Sequence, residues 1–383
     1  MESMNSADSD VGSNTKIDLK RGRFICAIEN FSIDHVDFKP CGQFVSYGEG
    51  YFCDVNKLCK ECDERKHSMQ SVQTFNFKLE TDFEENHYFS LHIEPACCYD
   101  ESEGCISVKL KFHELGDFEV MALCKFSILN AEGKEEYKSV ICVKRFDENN
   151  DSYCHHVNIN IIDLLDRKSM LLPNGRLTLC FEMFYLINFD LNSFYVSKWT
   201  HIDKQLNMFL NDMTRMLDSS KFYDCKIKVG NHEMKVHKCI LTARSEVFRS
   251  TLENKDTEHE LDIIEINDFN WVVVKKMVDY LYTGEIPTIK YIAFEMFEIA
   301  EKYKVEGLKL IATGSLLGSL DVSNVCKYLE KSEIHSIEIL KEFCIAYIYF
   351  NVKEVVKSKE WRKIVNFYPS LLERIFNLTA DLD

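Results

Sequence analysis

No run of eighteen apolar residues occurs in this 383-residue chain, so no segment reads as a membrane-spanning helix. Positive charge is scarce: 46 Lys and Arg stand against 62 Asp and Glu, a formal net charge of -16 at pH 7. Gripping a phosphate backbone takes a surplus of Lys and Arg on one face, so nucleic acid is not an expected partner. The stretch from Met1 to Asp10 has neither a basic cluster nor an apolar core, and is not read as a secretory signal. The stretch from Leu378 to Asp383 has no Lys/Arg cluster of the nuclear-import kind. The expected address is intracellular, nucleus or cytoplasm. Catalytic signatures are missing too: there is no Gly-rich phosphate loop, no His-Glu-x-x-His and no serine nucleophile elbow. No catalytic residue and no cofactor are expected.

What the chain does have is folding material. Hydrophobic residues make up 46% and aromatics 12%, and the length allows two or three domains, each with its own core. Sixteen cysteines are present. In a reducing compartment most are expected as free thiols packing like small hydrophobes, since Cys180, Cys225 and Cys344 sit in alternating or helical apolar patterns. One group invites a different reading. Cys53, Cys59, Cys62 and His67 have the spacing of a zinc knuckle, but a second Cys-x-x-Cys pair is missing unless Cys97 and Cys98 contribute. Loop cysteines and a structural zinc site both remain open.

The most informative stretch runs from Phe222 to Phe248. Cys225, Ile227 and Val229 alternate with Lys226 and Lys228, the pattern of a half-buried strand. Gly230-Asn231 supplies a turn, Met234 and Val236 resume the alternation, and helical spacing begins at Cys239. The series Asp224-Cys225, His237-Lys238, Leu241, Ser245, Phe248, then Glu265–Asp268 and Tyr280–Gly284, resembles a BTB (POZ) domain. Upstream, Phe209, Met213, Met216 and Leu217 predict an amphipathic helix. Downstream, apolar spacing predicts helices around 294–303, 308–320, 322–329, 337–350 and 370–378, resembling a BACK-like extension.

From Phe24 to Leu186 the pattern changes to short strands broken by polar turns, the signature of an antiparallel sandwich. The runs Phe24–Phe31, Lys125–Gly133 and Leu171–Leu179 resemble a MATH (TRAF-like) domain, with Phe75 where that family has a tryptophan. His155-His156 is read as a surface loop. The expected layout is multidomain: a disordered tail over 1-19; an all-β antiparallel sandwich of MATH type over 20-187; a linker over 188-205; an α/β BTB domain over 206-320; and an all-α BACK-like extension over 321-383.

This order resembles the speckle-type POZ family, including its arthropod and nematode members. The resemblance implies a substrate-recruiting adaptor of a cullin-RING ubiquitin ligase, itself non-catalytic. The MATH domain would hold a substrate peptide in a groove placed at His92, Cys124, Lys144, Asp151 and Tyr153. The BTB domain would form a homodimer or higher oligomer through Phe209, Met213, Met216 and Ile240, with Asp224 and His237 buried and hydrogen-bonded beside that face. The cullin would meet Asp256 and Glu258, with Leu252 as an alternative apolar anchor. Two departures weaken the carry-over: the groove has fewer rings than the family's, and Asp256 stands where the family has an apolar residue. A dimeric peptide-binding scaffold without a cullin is the alternative.

Overall fold

The structure is a computed structural model and describes residues 19–29, 31, 45–47, 50–52, 73–79, 88–95, 104–116, 118–159, 164, 166–187, 204–219, 221–253, 261–286 and 288–380. The tail over 1–18, the segment 188–203 and the candidate zinc ligands Cys53, Cys59, Cys62, His67, Cys97 and Cys98 lie outside these residues. Among the described residues no group of three or more His, Cys, Asp or Glu side chains is placed to hold a metal ion.

The N-terminal half is built of strands, as alternation predicted: β1 (Lys20–Ile28), β2 (Val45–Tyr47), β3 (Gly50–Phe52), β4 (Gln73–Lys78), β5 (Tyr88–Pro95), β6 (Gly104–His113), β7 (Val120–Leu129), β8 (Glu135–Phe146) and β9 (Ser152–Ile159). A short α1 (Lys168–Leu171) and a 3-10 turn at Pro173–Gly175 then lead into β10 (Leu177–Ile187). Two four-stranded sheets result, in the orders β1-β10-β7-β8 and β4-β5-β6-β9, with β2-β3 as a separate hairpin. Every pairing in them is antiparallel. The sheets face each other across one apolar core, in which Phe89, Leu91 and Phe112 of one meet Phe126, Phe181 and Met183 of the other. Phe24 and Phe89 pack edge to face with centroids 5.1 Å apart, and Phe89 and Phe181 do so at 5.7 Å. His155 and His156 lie on β9 rather than in a loop, because the alternation there continues to Ile159. His155 turns inward, where Nε2 lies 2.7 Å from Ser139 Oγ and the ring stacks 6.0 Å from Phe126.

The second half opens with α2 (Lys204–Ser219), then the hairpin β11 (Cys225–Val229) and β12 (His232–Val236). Gly230 turns that hairpin at φ 55, a conformation that a side chain would strain. Next come α3 (Lys238–Arg244), α4 (Glu246–Glu253) and β13 (Asp262–Glu265), which pairs parallel with β11. The helices α5 (Trp271–Thr283), α6 (Ala293–Lys302), α7 (Glu306–Gly318), α8 (Val325–Ile334), α9 (Glu338–Phe350), α10 (Val352–Val355), α11 (Lys359–Phe367) and α12 (Pro369–Ala380) complete the chain. Asn270 starts α5 by accepting from Val273 N at 3.1 Å, and Gly284 ends it in the left-handed conformation at φ 71. The sequence missed α5, α10 and α11. Ser358 begins α11, its hydroxyl accepting from Trp361 N at 3.2 Å.

One packing relation was not foreseen. The face of β1-β10-β7-β8 that points away from the sandwich core is covered by the C-terminal helices. Met121, Leu123, Val143, Phe184 and Leu186 belong to the same apolar cluster as α7, α9 and α12. Every residue of β7 is consequently buried. The six described cysteines that are buried, Cys26, Cys124, Cys180, Cys225, Cys326 and Cys344, are free thiols within these cores. Burial pushes the Cys26 thiol up to about 12, with the nearby Cys180 adding to the shift.

Candidate interaction surfaces

The residues of the Phe222–Phe248 signature each have a structural task. His237 is buried, and its Nε2 lies 2.8 Å from the Lys221 carbonyl. That nitrogen carries a proton, and in the neutral ring this leaves Nδ1 as an acceptor. Tyr282 Oη lies 2.7 Å from Nδ1 and donates to it, while accepting from His237 N at 2.8 Å. Burial pushes the Tyr282 hydroxyl up to about 12, so it stays a donor at physiological pH. Lys238 pairs its ammonium with buried Asp262 at 2.5 Å. Leu241 and Phe248 fill the core, Phe248 stacking on Tyr303 at 4.6 Å. Ser245 donates to Tyr303 O at 2.5 Å and accepts from Phe248 N at 3.2 Å. The motif is scaffolding for a surface, with no reacting group in it.

Four of the six expected dimer residues are apolar side chains left wholly or partly uncovered. Phe209 is exposed on α2, and Met213, Met216 and Ile240 are half-buried against the core. Two further apolar residues are exposed: Met208 on α2, and Phe222 at 93% exposure in the turn before β11. Phe222 also has a φ of 58, so the backbone there is held in a conformation that disfavours a bulky side chain. Asp224 corrects an expectation. It is exposed rather than buried, because it stands just ahead of β11 and its carboxylate accepts from Lys238 N at 2.7 Å at the start of α3.

The five expected groove residues do not converge. Lys144 and Tyr153 do meet: β8 and β9 are the neighbouring edge strands of the two sheets, and Lys144 Nζ lies 4.7 Å from the Tyr153 ring centroid. Asp151 is close by at the start of β9, with Lys111 Nζ 3.4 Å from its carboxylate. Cys124 is not on a surface. It is 3% exposed and points into the sandwich core, because its neighbours on β7 in the same register face the second sheet. His92 lies on the opposite face of its sheet from Tyr153. Phe89, Leu91 and Ile93 turn inward and strand alternation sends His92 outward, where Nε2 lies 2.9 Å from Ser90 Oγ.

At the third surface, Asp256 and Glu258 lie outside the described residues, in the stretch between α4 and β13. Leu252 is only 7% exposed and contributes to the core from α4, so it offers no anchor to a partner. Leu261 and Ile263, which follow that stretch directly, are both exposed. The pairing of Asp262 with Lys238 explains their orientation, since burying the acid at 262 turns the flanking positions outward.

Comparison with known proteins agrees with this architecture. The BTB/POZ domain family matches residues 213–320. "TD and POZ domain-containing protein 2" of Mus musculus is 32% identical over 293 residues, covering 76% of this chain and 80% of that protein. "TD and POZ domain-containing protein 1" of the same species is 29% identical over 297 residues, again 76% of this chain and 80% of the relative. The solved BTB domain of zebrafish PATZ1 is 22% identical, spanning 29% of this chain and 88% of that domain, with a TM-score of 0.25 that is too slight to bear on the fold.

Proposed function

This chain belongs to the TD and POZ domain-containing family, and from that premise we propose that it is a dimeric, non-catalytic adaptor that holds a peptide on its N-terminal sandwich. BTB domains are protein-interaction modules that dimerise, and the one matched at 213–320, together with the start of α2 that leads into it, carries exposed apolar side chains. The observation that carries the proposal is the exposure of Met208, Phe209 and Phe222 beside half-buried Met213, Met216 and Ile240. Apolar residues on the outer side of a packed helix favour a partner over water. A second copy is the occupant proposed. Met213→Asp combined with Ile240→Lys is expected to give a monomer by light scattering. A dimer of unchanged mass would refute that assignment.

The sandwich is proposed to be of MATH type and to receive an extended peptide along β8, where Lys144 and Tyr153 close the seam with β9. An exposed edge strand offers main-chain hydrogen bonds to an added strand, and the flanking side chains supply selectivity. With one tyrosine and one lysine at that seam, the preferred peptide would differ from the serine-rich motif of the speckle-type family.

The finer reading is adaptor of a cullin-RING ligase. Its support is the family layout together with exposed Leu261 and Ile263 beside the stretch that holds Asp256 and Glu258. Those two side chains would supply the apolar contact that Asp256 cannot. Titration of the full chain against a cullin N-terminal region decides between this and the scaffold alternative. Saturable binding at micromolar concentration supports the ligase role, and no binding leaves a dimeric scaffold.

A further inference from the structure

Interfaces between domains of one chain commonly allow motion unless they are large and apolar. The contact between the sandwich and the C-terminal helices is apolar and has a charged centre. Phe184, on β10, packs edge-on against Tyr349 at 5.7 Å and tilted against Phe350 at 5.1 Å, both at the end of α9. Leu123, Met121, Val143 and Leu186 surround this aromatic cluster. Within the same face, Glu182 lies between Lys125, 2.6 Å away, and Arg21, whose Nε is 3.0 Å away. The Glu182 and Lys125 side chains are 2% and 7% exposed.

Each of the two cations also reaches the helices. The Arg21 guanidinium lies 4.6 Å from the Tyr349 ring centroid, donates to its hydroxyl, and contacts the Leu378 carbonyl of α12 at 3.4 Å. Lys125 Nζ lies 5.2 Å from the Phe350 ring. On the adjoining strand, Lys138 donates to the Phe350 carbonyl. Apolar contact alone would tolerate sliding or rotation of sheet on helix. A buried carboxylate shared by two cations that cap two particular rings does not, because displacement would leave charge buried without its partners.

We propose that the C-terminal helices are a permanent dock for the sandwich in the same chain, and that Arg21, Lys125 and Glu182 form a polar key fixing the sheet's orientation on α9 and α12. The dock goes beyond the adaptor reading and does not depend on it. It concerns how the two halves of one chain are held, whatever they bind. Because β8 contributes Val143 to the docked face and Lys144 to the seam with β9, the proposed peptide strand is fixed in position by the helices.

Amine-to-amine coupling of the intact protein with a disuccinimidyl reagent tests this, using Lys138, which donates to the Phe350 carbonyl, and exposed Lys353, three residues further along the helices. The expected result is a Lys138–Lys353 cross-linked peptide by mass spectrometry. When isotope-labelled and unlabelled chains are mixed, the peptide should carry label from one chain only. Tyr349→Ala, which removes the ring over Arg21 from the helix side, should lower the yield severalfold. Tyr349→Phe, which keeps the ring, should retain most of it. Absence of the cross-link in the unmodified protein, hybrid labelled peptides alone, or an undiminished yield in Tyr349→Ala would each overturn the proposal. Since the unmodified protein is itself decisive, a variant that fails to fold does not rescue it.

Discussion

Replacing Glu182 with Gln keeps the shape of the side chain and removes one charge from the buried centre of the sandwich–helix contact. Lys125 would keep Glu135, 3.0 Å away, but that carboxylate is the more exposed of its two partners. Arg21 would keep the Tyr349 ring. Breaking a buried ion pair on one side costs about 3–5 kcal/mol, and these surviving contacts place the expected loss near the lower end, about 3 kcal/mol. At roughly 2–4 °C per kcal/mol for a domain of this size, the thermal midpoint should fall by about 6–12 °C. Acid should erase the difference. Burial pushes the Glu182 carboxyl up, but hydrogen bonds and charge from Lys125 and Arg21 more than offset this and leave it below its ordinary value of 4.5. A depressed carboxyl contributes stability that is complete above the ordinary value and is lost as the pH falls through the depressed one. Urea titrations of both proteins at neutral pH and in acid, followed by circular dichroism, measure the gap. A gap below about 0.5 kcal/mol at neutral pH would refute the reasoning, since surface ion pairs already give that much.

Three further outcomes follow from the same kind of accounting. Tyr282→Phe removes the hydroxyl that serves both His237 N and Nδ1, and leaving buried groups unpaired should cost about 1–3 kcal/mol by urea titration. An unchanged midpoint would show that water replaces the hydroxyl. Tyr153→Ala should reduce recovery of bound peptides, and because the ring also packs against the sandwich core the thermal midpoint should fall as well, so recovery is compared at a temperature where the variant is fully folded; equal recovery there would move the peptide site elsewhere. Leu261→Asp with Ile263→Asp should abolish any cullin binding found by titration and leave the dimer mass unchanged, and retained binding would remove those residues from the contact.

Much of the architecture could be read from periodicity because one face of most elements is wet. Cys225, Ile227 and Val229 alternate with lysines, and the structure gives that strand its inward and outward sides accordingly. The helices from α6 to α9 were legible for the same reason. Strand alternation could also have separated His92 from Tyr153, since Phe89, Leu91 and Ile93 commit His92 to the far face. The family resemblance placed those residues together, and pleat geometry keeps them apart. Cys124 failed differently, as a small thiol suits a groove wall or a core equally well and only the opposing sheet decides. The dock was invisible for a deeper reason. Val120–Leu129 is buried throughout, so its apolar residues announce burial on both sides without naming the second cover, which comes from helices more than 150 residues further on. The exposure of Leu261 and Ile263 depends likewise on Lys238 meeting Asp262 from a distant part of the chain.

Both sides of the β1-β10-β7-β8 sheet are occupied, and this sets the unit in which the protein can be inherited. A sandwich with one wet face can be moved between chains as a cassette, carrying only its linker with it. Here a transplanted sandwich would take Met121, Leu123, Val143, Phe184 and Leu186 into water as an apolar plaque, with a half-stripped Lys125–Glu182 pair at its centre. The helices would be left with Tyr349 and Phe350 uncovered on the other side of the cut. Recombination within the described fold would therefore have to carry β1 through α12 together, and a substitution on the outer side of β7 or β10 would have to be matched on α9 before it was tolerated.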